Sequence, residues 1–157
     1  MTIAENATID FFGTRDEVTT APATVADAGY STLADTGIWV NDDDAPFAMF
    51  TLQLTAAGMT GTPVVGSVID LFTQLQDITD SIDDAVLAKA NYNHKYLGSF
   101  PFTGVDEDQS IPIGPIRLPN MKTSQGHVFS ILNNTGMALG TTWQLFVTPM
   151  TYGPHPA

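Results

Sequence analysis

The side chains able to do chemistry are few and scattered along the chain. His94, His127 and His155 have no metal-binding spacing such as His-x-x-x-His, and His155 falls in a Pro-rich C-terminal stretch. Cysteine is absent, so there is neither a thiolate nucleophile nor a disulfide framework. No Gly-x-Ser-x-Gly elbow occurs to expose a serine nucleophile. Two acidic runs, Asp42-Asp43-Asp44 and Asp106-Glu107-Asp108, are rich in oxygen ligands of the kind calcium prefers. Neither has the spaced Asp-x-Asp-x-Asp-Gly order with a distal Glu, and an acidic turn between strands is ordinarily just solvated. The sequence therefore assigns no catalytic, metal-ligating or cofactor-binding residue, and a non-enzyme is expected.

Charge narrows the partners. Seventeen acids against five bases give a net charge of −12. The imbalance lies in residues 1–84, where fourteen acids face Arg15 alone. A phosphate backbone needs clustered Lys and Arg, so nucleic acid is not an expected partner. An anionic membrane surface is disfavoured for the same reason, and no apolar run of membrane-spanning length occurs. The N-terminus lacks the basic start and apolar core of a secretory signal. What remains is a well-solvated acidic surface, with complementarity to a basic protein partner as the sharper possibility.

Whatever positions these groups must be built mostly from strands. At 157 residues and 43% hydrophobic content, the chain can support one packed domain without metals or disulfides. In 47–57, Phe50, Leu52 and Leu54 alternate with Thr51, Gln53 and Thr55, the period of a half-buried strand. Ile38-Trp39-Val40 precedes it and stops at the acidic turn. A β-branched run spans Val64–Phe72 after the Thr60-Gly61-Thr62-Pro63 turn. Tyr96, Phe100 and Phe102 are expected to share a face, with Pro101 restricting that strand to an edge or bulge. Ile111, Ile113, Ile116 and Leu118 form another apolar segment, punctuated by Pro112 and Pro115. His127–Leu132 reads as a strand closed by an Asn133-Asn134-Thr135-Gly136 turn, and Trp143, Leu145 and Val147 face inward on the last strand. Short strands at this spacing mean an all-β fold, an antiparallel sandwich or barrel. The exception is the acidic stretch around Ile78, Ile82 and Val86, whose spacing predicts at most one short helix near 80–90.

Residues 1–35 are rich in Thr, Ala and Asp and lack sustained periodicity, which predicts an extended N-terminal arm or loosely attached strand, with the sandwich domain occupying 36–157. Phe11 and Phe12 stand out within it. Two adjacent rings cannot easily both fold inward, so they are the candidate partner contact.

Four stretches of the C-terminal half carry a resemblance by their order: Tyr96-Leu97-Gly98-Ser99-Phe100, Ile111-Pro112-Ile113-Gly114-Pro115-Ile116-Arg117-Leu118-Pro119, Ile131-Leu132-Asn133-Asn134-Thr135-Gly136, and Trp143-Gln144-Leu145-Phe146-Val147-Thr148-Pro149. Over residues 45–152 the chain resembles small virion proteins of tailed bacteriophages, the capsid decoration or cement proteins. The resemblance implies a jelly-roll sandwich that assembles as a homotrimer in the host cytoplasm and clamps major capsid protein subunits from the outer surface of the head. It brings no catalytic residues. The alternative expectation is a virion-surface or tail module that binds a host glycan or receptor through the same sandwich.

Overall fold

The computed structural model describes residues 8–32, 35–42, 44–77, 95–103, 107–118 and 125–154. Nine strands are described: β1 (Thr8–Phe12), β2 (Asp16–Glu17), β3 (Gly29–Tyr30), β4 (Phe47–Leu54), β5 (Val68–Asp77), β6 (Lys95–Pro101), β7 (Gln109–Arg117), β8 (Gln125–Asn134) and β9 (Gln144–Pro154). They form two antiparallel sheets. The first has the order β1-β9-β4-β7, with β2 continuing beside β9 where β1 leaves off; the second has the order β3-β8-β5-β6. With β1 and β2 taken as one interrupted strand, first pairs with last, second with seventh, third with sixth and fourth with fifth. That nested pairing is the strand order of a jelly roll.

Alternation builds the core between the sheets. Phe50, Leu52, Leu145 and Val147 point in from the first sheet, and Ile69, Leu71, Phe129 and Ile131 from the second. The Phe50 and Phe129 rings meet edge-on across the interface, with centroids 5.2 Å apart. Trp39 and Trp143 are both buried in this cluster. Trp39 belongs to no strand and reaches the second sheet through a single bridge to His127.

Two bulges change which residues face inward. On β7 the register with β4 slips so that Ala48 opposes Ile116 while Phe50 opposes Ile113. The extra residue falls at Gly114-Pro115, and it lets Ile113 and Ile116 both pack against the core despite their odd spacing. Both prolines lie on this edge strand, where a missing N–H costs no ladder bond. On β6 the pairing jumps from Leu71–Gly98 to Phe72–Tyr96, which makes Leu97 the extra residue. Parity then inverts: Phe100 and Phe102 are buried, whereas Tyr96 turns to the outer face. The expected common face for Tyr96, Phe100 and Phe102 is therefore corrected.

Two other expectations change. The run beginning at Val64 opens with a turn, Val64 and Val65 being exposed, and pairing starts at Val68. The expected extended arm or loosely attached strand is, over the described residues 8–32, stitched into both sheets. β1 and β2 line β9, β3 lines β8, and Val18 and Val25 lie in the core. Its scant periodicity reflects short strands, β2 and β3 being two residues each, held by neighbours and not by an alternating pattern of their own. The short helix expected near 80–90 falls outside the described residues.

Candidate interaction surface

Strand periodicity sends Phe11 and Phe12 to opposite sides of β1, and neither is buried: Phe11 is 43% exposed and Phe12 60%. Phe11 pairs with Thr151, and its ring lies over Gly153. Together with Gly13, Ala45, Pro149 and Thr151, the two rings border an open depression of about 270 Å³.

Phe12 shares the outer face of the first sheet with side chains that sequence reasoning did not single out. β4 and β9 run in register there, Phe47 opposite Met150, Met49 opposite Thr148, Thr51 opposite Phe146 and Gln53 opposite Gln144. Because Ala48, Phe50, Leu52 and Leu54 all point into the core, their odd-numbered neighbours must point out. The Phe47 and Tyr152 rings pack at 4.8 Å between centroids, and Tyr152 remains 44% exposed. One end of this outer face is thus apolar, with Phe12, Phe47, Met49 and Tyr152, while the other carries Gln53, Gln144 and Ser110.

This face carries Asp10 of β1, opposite Tyr152, together with both arginines of the chain. Arg117 stands opposite Phe47 at the end of β7. Arg15, in the gap between β1 and β2, sits over the Phe146 ring with its guanidinium carbon 3.8 Å from the centroid, a cation–π contact. These are the only two arginines in a chain of net charge −12. Among the described residues, the Arg117 side chain has no charged or hydrogen-bonding partner. Glu17, beside Phe146 at the sheet edge, is occupied by the Gln144 amide at 2.9 Å and the Thr19 hydroxyl at 2.8 Å.

Among the described residues the groups weighed for chemistry do not converge; His94 and His155 lie outside those residues. His127 is fully buried in the core, stacked on Phe129 with its Nδ1 2.8 Å from the Thr73 hydroxyl, a packing position. Asp108 accepts a hydrogen bond from the Ala56 amide at 2.8 Å and borders a polar depression of about 260 Å³ with Gln53, Thr55, Ser110, Thr142 and Gln144. No group of three or more His, Cys, Asp or Glu that could hold a metal occurs among the described residues. Asp43 and Asp106, and with them the two acidic runs as units, lie partly outside those residues. No described helix is long and apolar enough to cross a membrane.

No protein-family model matches this chain, and no curated protein matches it.

Proposed function

We propose that this chain is a structural virion protein that binds the outside of a tailed-phage head as a homotrimer and stabilises contacts between major capsid subunits. The observation that carries the reading is the outer face of the first sheet. An exposed aromatic cluster of Phe12, Phe47 and Tyr152 lies there beside Arg15 and Arg117. Aromatic residues and arginine are the types enriched at protein interfaces, and the polar Gln53, Ser110 and Gln144 end supplies a rim. The jelly-roll strand order and the resemblance over residues 45–152 agree with this assignment.

In this reading the first sheet faces the shell. Each copy offers a patch of modest size, and a trimer engages three capsid sites at once, so that avidity substitutes for individual strength. The acidic remainder of the surface keeps particles apart in solution.

The test is to delete the gene from the phage that encodes this chain and heat the purified heads. Heads lacking the protein should rupture at lower temperature, and purified protein added back should restore resistance while appearing on the shell at copy numbers near those of the capsid protein. A protein found in few copies on the tail, whose loss abolishes adsorption and leaves head stability unchanged, would overturn the proposal.

A further inference from the structure

The outer face of the second sheet carries a different arrangement. The β6 bulge at Leu97 turns Tyr96 outward, where its ring is 54% exposed and meets Phe72 edge-on at 5.7 Å. The Tyr96 hydroxyl lies 2.6 Å from the Ser99 hydroxyl, which in turn donates to Asp70 Oδ1 at 2.5 Å. Because the Ser99 proton is committed to the carboxylate, the Tyr96 hydroxyl is the donor in the first of these bonds. The other carboxylate oxygen, Asp70 Oδ2, accepts from the Asn134 side-chain amide at 3.1 Å. A tyrosine, a serine, a carboxylate and an amide thus form one chain of hydrogen bonds across β6, β5 and β8, flanked by aromatic surface.

We propose that this constellation is a binding site for a neutral pyranoside. Each carboxylate oxygen accepts one hydrogen bond in the network and retains the capacity to accept another, from a sugar hydroxyl. The Asn134 carbonyl oxygen supplies a further acceptor, and its amide a second N–H donor. The exposed Tyr96 ring offers an apolar face to the C–H side of a pyranose, which is itself apolar on one side and hydroxylated at the rim. The negative charge of Asp70 discriminates against sialic and uronic acids. The polar groups are already held in place by one another, so little ordering is needed on binding. This site does not depend on the head-binding role: it lies on the opposite sheet, which would face away from the shell.

The experiment is saturation-transfer NMR on the full chain with cellotriose, chitotriose and maltotriose, with sialyllactose as the acidic comparison. At least one neutral trisaccharide should receive saturation, and sialyllactose should not. Asp70→Asn and Tyr96→Ala should each weaken binding by at least about tenfold, while Tyr96→Phe, which keeps the ring and removes the hydroxyl, should retain measurable binding. Because Asp70→Asn and Tyr96→Phe preserve shape, they remain informative even if Tyr96→Ala fails to fold. Absence of saturation for all three neutral sugars, or binding that survives Asp70→Asn undiminished, would overturn the assignment without touching the head-binding proposal.

Discussion

The indole N–H of Trp143 donates to the carbonyl oxygen of Ala23 at 3.0 Å. It joins the entrance of the last strand to the N-terminal segment, with Trp143 itself buried beneath. Asp35 reinforces the same region by accepting from the backbone amides of Ala23 and Thr32. The N-terminal segment therefore behaves as part of the sandwich.

Removal of residues 1–35 should abolish cooperative folding. The deletion uncovers the β9 and β8 ladder positions occupied by β1, β2 and β3, and it strips Val18 and Val25 from the core. Circular dichroism should show no sharp thermal transition; a truncated chain that melts cooperatively would contradict the integrated arrangement.

Asn133 should be more sensitive than its place beside a turn suggests. The two N–H groups of its fully buried side-chain amide serve three carbonyls, those of Val25, Ala26 and Met137, so one N–H is shared, and its oxygen accepts from the Thr135 amide and hydroxyl. Asn133→Ala leaves several buried groups unpaired and should cost about 2–4 kcal/mol. Urea denaturation reads this directly as a lower midpoint with an unchanged slope.

Gly114 occupies the β7 bulge with φ of +127°, and a Cβ there would stand 2.9 Å from Met49 Sδ and 3.0 Å from the Ala48 carbonyl oxygen. Gly114→Ala is therefore expected to destabilise by about 1–3 kcal/mol through backbone strain alone, with the steric overlap adding to it. Thermal melts of the variant beside Gly61→Ala, where a Cβ meets nothing within 4 Å, separate this local effect from a general glycine effect.

Phe12→Ser and Arg117→Glu should leave folding stability within about 0.5 kcal/mol, since both side chains are exposed on the first sheet's outer face. Each should lower occupancy on purified heads in a sedimentation assay, and the loss from Arg117→Glu should shrink as salt rises. Full occupancy by both variants would move the contact surface elsewhere.

The sequence announced the strands whose period was long enough to see. Phe50, Leu52, Leu54, Leu145 and Val147 alternate over a whole strand and are buried as that alternation demands. β2 and β3 are two residues each and carry no periodic signal, so the contribution of Val18 and Val25 to the core was invisible. The inversion at Tyr96 was equally hidden, because a bulge depends on the partner strand's register and not on the spacing within β6. Of the proposed outer-face patch, only Phe12 was legible, through its place in the adjacent Phe11-Phe12 pair in polar surroundings; Phe11 points to the other side of β1. Phe47, Phe146, Tyr152, Arg15 and Arg117 join Phe12 through cross-strand neighbours far away in sequence.

The position of β9 has a consequence for how the protein is made. Gln144–Pro154 lies between β1 and β4, so the first sheet has a gap in its middle until that stretch leaves the ribosome. Earlier strands of that sheet must wait with unpaired backbone and apolar side chains uncovered, and closure then requires contacts spanning most of the chain, a topology that folds slowly. The carboxylates crowded into residues 1–84 are synthesised before β9, and their mutual repulsion opposes association between chains that still lack it.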